Sequence, residues 1–356
     1  MDRNTASVKR TGVQKSRVVC RNAGTPAKKL IPARQHEKRL TILRKRKKIF
    51  PPFQYTVFPQ APYPFVPSPF PKDRAMITVD MHSHTLFSHA KDSAADMAAA
   101  AARAGMRVFG FSEHSPRAEG YNYTNEYRER LRAGFPEYLS QVKELRERWN
   151  KAPADAKPLR VLLGLEVDWM PNERPFIEQM IAREPSWDYL IGSVHFLGTW
   201  GFDDRQSDWD ALDDDACHAK YDAYFSTLRT MAESRLMDIA AHPDLIKIFS
   251  ADRFHAWIRR PEALRLIEDA LKAIKESGMA MEVSAAGLRK PCAEIYPCPI
   301  IMQMAADMGI PISFASDSHC VEQVGWKFDE LAAYARSFGY ASSRYYVGRR
   351  PFDQPF

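Results

Sequence analysis

MITVDMHSHTLFSHAKD, residues 76–92, opens with a short apolar run, residues 76–79, that leads directly into His82, His84 and His89. The run reads as a strand. In an extended backbone alternate side chains share a face, so His82 and His84 project together from its end. Two neighbouring imidazoles can grip one ion, although a pair at this spacing also arises by chance. The same grammar, an apolar run closed by a ligand-type residue, recurs down the chain. Residues 107–112 deliver Glu113 and His114, 159–165 end at Glu166, 189–194 reach His195, 236–241 lead to His242, and 310–315 end at Asp317 and His319. The run 279–283 leads instead into Ser284 and the loop Gly287-Leu288-Arg289-Lys290.

Helical segments are expected between these runs. Residues 93–104 are alanine-rich and closed by Gly105. Residues 126–149 are helical with a break or kink near Gly134 and Pro136. Further helices are expected over 173–183, 217–233, 261–276 (closed near Gly278) and 299–308, with a loop and helix over 323–337 and an acidic loop over 203–215. Seven strand-like runs, mostly separated by helices, predict an α/β architecture with largely parallel strands. Ligand-type residues follow at least six of them. In a barrel every strand end faces one mouth, whereas a doubly wound sheet gathers its chemistry at a switch point, so the distribution favours a seven-stranded barrel. Strand order is not readable from intervals, and an open sheet is the alternative.

The 356 residues, 45% hydrophobic, suffice for one large domain or two ordinary ones. No run approaches a membrane span, and residues 1–20 lack the apolar centre of a secretory signal, so a soluble, cytoplasmic protein without membrane insertion is expected. Five cysteines, an odd number without a repeating pattern, suit a reducing compartment. The net charge of +7 is unevenly spread: residues 1–50 carry +14, residues 51–75 one more positive charge, and the remainder −8. Residues 1–75 therefore read as a disordered basic leader followed by a proline- and aromatic-rich linker, with the folded domain over 76–356. The leader's charge suits anionic surfaces without specifying one, and the acidic body, lacking a basic aromatic groove, predicts no specific nucleic-acid partner.

Seven of the ten histidines fall in the strand-end cluster, with His36, His218 and His255 outside it. Seven imidazoles and two carboxylates exceed what one tetrahedral zinc site needs, so two or three closely spaced divalent metals are indicated. Glu166 has a particular value, because a carboxylate has two oxygens and can bridge adjacent cations.

With Asp80-Met81-His82-Ser83-His84, Ser88-His89-Ala90, Ser112-Glu113-His114-Ser115, Gly164-Leu165-Glu166-Val167-Asp168, Ser193-Val194-His195-Phe196, Ala241-His242-Pro243-Asp244, Gly287-Leu288-Arg289-Lys290-Pro291 and Ser316-Asp317-Ser318-His319, the chain resembles the histidinol phosphatases of the polymerase and histidinol phosphatase (PHP) superfamily over residues 76–339. The resemblance implies a distorted (β/α)7 barrel with a trinuclear site. It implies one metal at His82, His84, Glu166 and Asp317, a second at His89, His114 and His319, and a third at Glu166, His195 and His242. Zinc, iron and manganese all suit such a site. The implied reaction is hydrolysis of L-histidinol phosphate, a small phosphorylated amino alcohol, by a metal-activated hydroxide supported by His82, His84, Glu166, Asp317 and His319. Arg289 is the expected phosphate clamp, Arg117 the second candidate, and Lys290 is expected to face solvent. Asp168 and Asp244 are expected to orient histidines or to meet the substrate amine. Competing readings are a phosphodiesterase or nuclease of the same superfamily, another phosphomonoesterase, a metal-dependent amidohydrolase, and a non-enzymatic metal-binding module.

Overall fold

In the computed structural model, residues 76–151 and 159–356 are described. The basic leader and linker expected over 1–75 lie outside the described residues. The chain runs β1 (Val79–Asp80), α1 (Ala94–Arg103), β2 (Val108–Phe111), α2 (Asn125–Asn150), β3 (Arg160–Leu163), β4 (Glu166–Asp168), α3 (Arg174–Ile181), β5 (Ile191–Ser193), the hairpin of β6 (Phe196–Leu197) and β7 (Trp200–Gly201), α4 (Gln206–Asp210) and α5 (Asp214–Glu233). It continues through β8 (Ile239–Ala240), α6 (Ala251–Trp257), α7 (Pro261–Ser277), β9 (Ala280–Ser284), α8 (Pro299–Met308), β10 (Ile312–Ala315), α9 (Phe328–Ser337) and the hairpin of β11 (Ser342–Val347) and β12 (Arg350–Pro355).

Each anticipated strand forms within or beside its apolar run, and local chemistry sets several helix ends. The Ser93 side chain accepts the Asp96 amide to cap α1, Thr124 does the same for Tyr127 at the start of α2, and Gly278, at φ +81°, closes α7 in the left-handed region that glycine enters without strain. The break anticipated near Pro136 does not occur. Helix α2 passes through it, burying Leu131, Phe135, Tyr138, Val142 and Leu145 at spacings of three and four. Burial of such side chains is worth about 1.5–3 kcal/mol each, which together outweighs the roughly 3 kcal/mol an internal proline costs. Gly134 also has a packing reason: a Cβ there would lie 3.1 Å from the Phe87 carbonyl oxygen, in the loop that carries His89. The expected acidic loop over 203–215 is partly helical, since α4 lies within it and α5 begins at Asp214.

The strands make two parallel sheets, in the orders β1-β2-β3 and β10-β9-β8-β5-β4. Strands β3 and β4 are successive pieces of one extended segment, interrupted at Gly164 and Leu165, and a bridge between His114 and Glu166 spans the same seam. At the other edge the Met81 amide donates to the Phe314 carbonyl at 3.1 Å, and Ser83 bridges Ser318. Between the strands lies a dry cluster comprising Val79, Val108, Leu162, Tyr189, Ile191, Ile239, Ala280 and neighbours. Tyr189 fits there because Gly110 and Gly164 are glycines; a Cβ on either would lie inside its ring's contact distance. The β11–β12 hairpin closes this cluster with Tyr346, and is held by Gly348 N–H to Asp188 Oδ1 (3.1 Å) and by Arg349 to Asp238 (2.5 Å). The larger core packs between strands and helices. Among the described residues no helix is long and apolar enough to cross a membrane.

Candidate metal centre

His82, His114, His195, His242 and Asp317 lie just beyond strand ends, Glu166 is the first residue of β4, and these side chains converge on one cluster. His82 and His84 are fully buried, with ring centroids 5.0 Å apart. Their Nε2 atoms face Glu166 Oε2 at 3.5 and 3.6 Å and Asp317 Oδ1 at 3.8 and 3.2 Å. Tetrahedral metal–ligand bonds of about 2.0–2.2 Å would place ligand atoms roughly 3.3–3.6 Å apart, so the separations from Glu166 suit three donors around one ion, with Asp317 beside them and farther from His82. Both Nε2 atoms are buried without a hydrogen-bond partner, which is costly for polar atoms unless an ion satisfies them.

Glu166 presents its other oxygen to a second set. Oε1 lies 3.6 Å from His195 Nε2 and 3.1 Å from His242 Nε2, and accepts the Ser193 hydroxyl at 2.5 Å. Glu166, His195 and His242 form one compact donor set, and His82, His84 and Glu166 another. A third consists of His84, His114 and His319, and a fourth of His114, Asp168 and His195. His89 belongs to none of these sets. Its exposed ring stacks against His114 and lies tilted beside His319, with centroids 5.1 and 4.4 Å away, and its Nδ1 lies 3.0 Å from the Tyr127 hydroxyl. His114 points Nδ1 at Glu166 Oε2, 2.7 Å away.

Partners behind the rings fix their orientation, and sequence reading missed most of them. Glu282 holds His82 Nδ1 with Oε2 at 2.7 Å and accepts the His242 amide with Oε1 at 3.3 Å, tying two donor sets together. Glu113 faces His84 Nδ1 at 3.3 Å and accepts the Thr85 amide at 2.9 Å. Asp168, anticipated as an orienting residue, does hold His195 Nδ1 at 2.6 Å, while Arg117 grips its second oxygen at 2.6 Å. A charged residue inside the apolar run 279–283 was the available signal for Glu282, because a buried carboxylate requires a partner.

The electrostatics follow from these contacts. Burial opposes charge on His82, but Glu282, Glu166 and Asp317 outweigh it and hold the ring well above the usual histidine range. Burial likewise opposes charge on His195, yet Asp168 and Glu166, with Asp203 adding to them, raise it to about 9. His114 is held well below its ordinary value by burial and by repulsion from His84. His319 is pushed down to about 3 by burial and by His84, with Lys290 contributing. Glu166 stays far below the carboxylate range despite burial, because His114, His82 and His195 surround it. In the metal-free chain the carboxylates hold protons on rings that a metal would otherwise occupy, so metal uptake releases protons.

Above the cluster opens a cavity of about 300 Å³ whose lining includes His114, His195, His319, Asp203 and Lys290. Lys290, expected to face solvent, is therefore a half-buried part of the wall. Arg289 braces the turn beside the cavity: Nη2 donates to the carbonyls of Ser316 (2.8 Å) and Asp317 (2.9 Å), and the guanidinium lies 5.3 Å from the Trp326 ring centroid. These bonds hold the turn in which Asp317 takes φ +47°, a left-handed conformation uncommon outside glycine. Arg117 is buried against Tyr123, Phe196 and Tyr127, and its two Nη atoms have no hydrogen-bond partner.

Comparison with known proteins follows the same outline. The PHP domain profile matches residues 80–286. A probable histidinol-phosphatase of Deinococcus radiodurans is 33% identical over 263 residues, 73% of this chain and 93% of that protein. The histidinol-phosphatase of Bacillus subtilis is 26% identical, covering 70% of this chain and 96% of its own. Among solved structures, the histidinol phosphate phosphatase of Lactococcus lactis, complexed with zinc, L-histidinol and phosphate, superposes with a TM-score of 0.60 at 16% identity, over 77% of this chain and 98% of that one. The profile spans more than half of the chain and the Deinococcus relative nearly its own full length, so this protein belongs to the PHP-domain histidinol-phosphatase family.

Proposed function

We propose that the protein is a histidinol-phosphatase, cleaving L-histidinol phosphate into L-histidinol and inorganic phosphate, with His82, His84, His89, His114, Glu166, His195, His242, Asp317 and His319 holding two or three zinc, iron or manganese ions. One observation carries the reading: the two oxygens of Glu166 face different imidazole sets, His82, His84 and His114 on one side and His195 and His242 on the other. A carboxylate so placed would be able to serve cations held by both sets. When bound, such cations neutralise the phosphate dianion and lower the pKa of water enough to supply the nucleophile.

The chain's own residues do the rest. Glu282, Glu113 and Asp168 fix the rotation of His82, His84 and His195, so that the ring nitrogens on the far side converge. Arg117 and Arg289 are assigned to the phosphate, in support of which Nη1 and Nη2 of Arg117 and Nη1 of Arg289 are buried donors without an acceptor. Closure of the seven strand positions into a distorted (β/α)7 barrel accords with the hydrogen bonds linking β1 to the β10 edge and with the bridge at the β3–β4 seam. A cytoplasmic setting accords with the unpaired, buried Cys217, Cys292, Cys298 and Cys320.

The test pairs phosphate release from L-histidinol phosphate with elemental analysis of gently purified protein. Two or three metal equivalents and efficient release are expected. Full activity with less than one equivalent would sink the multinuclear site, and preferential cleavage of phosphodiesters or carboxamides would sink the substrate.

A further inference from the structure

The cavity above the donor cluster is electrically lopsided. Lys290 stands on its wall near His319, whereas Asp203 stands near His195 and Asp204, the next residue, also lines the cavity. His114 lies between, with ring centroids 6.3 Å from His319 and 5.7 Å from His195. The acidic side is built. From His195 the chain leaves as the β6–β7 hairpin and returns at Phe202, whose amide donates to the His195 carbonyl at 3.2 Å. The next residue is Asp203. The Phe202 carbonyl is in turn held by the buried Trp209 indole at 2.7 Å. Gly201 lets Tyr123 close on the hairpin, since a Cβ there would lie 2.5 Å from the Tyr123 ring, and the Tyr123 hydroxyl then donates to Asp203 Oδ1 at 2.7 Å. Among the described residues Asp203 thus accepts a hydroxyl and not a cation, while the adjacent Asp204 is paired with the exposed Arg205. The cavity lining, independently, includes the buried His242, whose Nδ1 has no hydrogen-bond partner, together with the donors His195 and His319, which marks the space as a ligand site and not merely an acidic surface loop.

Resting on the histidinol-phosphatase reading, we propose that Asp203, with Asp204 beside it, is the cation-recognising wall of the cavity and selects phosphate monoesters that carry an ammonium group over those that lack one. The phosphoryl group belongs over the metal donors and Lys290. A cationic group a few atoms from the ester oxygen then reaches the Asp203 side, where the carboxylate has a lone pair free beyond the Tyr123 bond. Asp203 is in this sense a specificity residue. It contributes no ligand to the donor sets.

The experiment uses the full, zinc-loaded chain as wild type, Asp203→Asn, Asp203→Glu and Asp204→Asn. It measures kcat/KM for L-histidinol phosphate against phenyl phosphate, and the affinities for L-histidinol and inorganic phosphate by calorimetry. Wild type should prefer the amine-bearing ester. Asp203→Asn should lower that preference and the L-histidinol affinity by roughly 10- to 100-fold, the range for a lost charged hydrogen bond, with a smaller change in phosphate affinity. Asp203→Glu should recover part of both, and Asp204→Asn should lose less than Asp203→Asn. If wild type prefers the amine and all three variants keep the full preference and L-histidinol affinity, the acidic wall is overturned while the phosphatase reading stands. If wild type shows no preference, both fall.

Discussion

At one end of the strands Val79, Val108, Leu162, Ile191, Ile239 and Ala280 pack into a dry cluster that Tyr346 closes, while a few residues farther along the chain segments deliver His82, His114, Glu166, His195 and His242 to a pocket of buried charge. The first end gains stability from apolar burial. The second costs stability unless each charge finds a partner, because removing ions from water is expensive and leaving one unpaired more so. The contrast divides the labour, one end carrying stability and the other the candidate chemistry. It also predicts that substitutions at the two ends fail differently.

Glu166→Gln should produce the largest effect. It removes the charge that faces both donor sets, so phosphate release should fall about a thousandfold or more, in line with the several kcal/mol that metal-ion charge stabilisation supplies. Metal content should fall in the same preparation, and activity should fall far more than global stability measured by thermal unfolding. Normal metal content and turnover would reject the bridging role.

Tyr346→Ala tests the other end. Truncating a buried aromatic side chain there should cost about 3–5 kcal/mol in denaturant unfolding, with metal stoichiometry and kcat of the folded fraction retained. Loss of metal binding at unchanged stability would show that the two ends are not separable.

Between these lies Glu282→Gln, which leaves every donor in place but loosens His82 and the His242 amide. Metal affinity should weaken by about 10- to 100-fold, the usual range for a residue that orients ligands, and excess metal should restore turnover. Failure of excess metal to rescue activity would assign Glu282 a different role.

The two ends were unequally legible in the sequence. His82, His114, Glu166, His195 and His242 could be found because each ligand follows an apolar run that terminates in charge, and a strand that ends at a polar site must produce that pattern. Glu282 escaped because it lies inside its run, where strand propensity conceals a buried carboxylate. The β11–β12 hairpin escaped for the opposite reason: β12 is almost wholly exposed, so it has no hydrophobic period, and Tyr346 is anchored by tertiary contacts that local pattern does not encode. Pro136 suggests a break or kink because its local cost is visible in the sequence, whereas the compensating burial of Phe135 and Tyr138 that lets the helix run on is not. The positive φ of His242 and Asp317 left no local trace either, being imposed by the bonds around them.

Arg289→Lys should have the smallest effect and separates two roles that coexist in one side chain. Nη2 already holds the Ser316 and Asp317 carbonyls, so Arg289 supports a metal donor through the backbone, while Nη1 is the donor left for phosphate. Lysine keeps the charge but loses the planar fork, and its compact ammonium cannot serve the turn and a phosphate oxygen in the same geometry. A loss of about tenfold in kcat/KM for L-histidinol phosphate is expected, with Arg289→Ala losing more, about 2–5 kcal/mol if a desolvated charged hydrogen bond disappears. Phosphate inhibition and metal affinity, measured on the same samples, apportion the loss. Weaker phosphate inhibition at equal metal content identifies the clamp; weaker metal binding with phosphate inhibition intact identifies the support of Asp317. If kcat/KM, phosphate inhibition and metal affinity all match wild type in both variants, Arg289 does not belong to the site, and Lys290 becomes the cation that faces the phosphate.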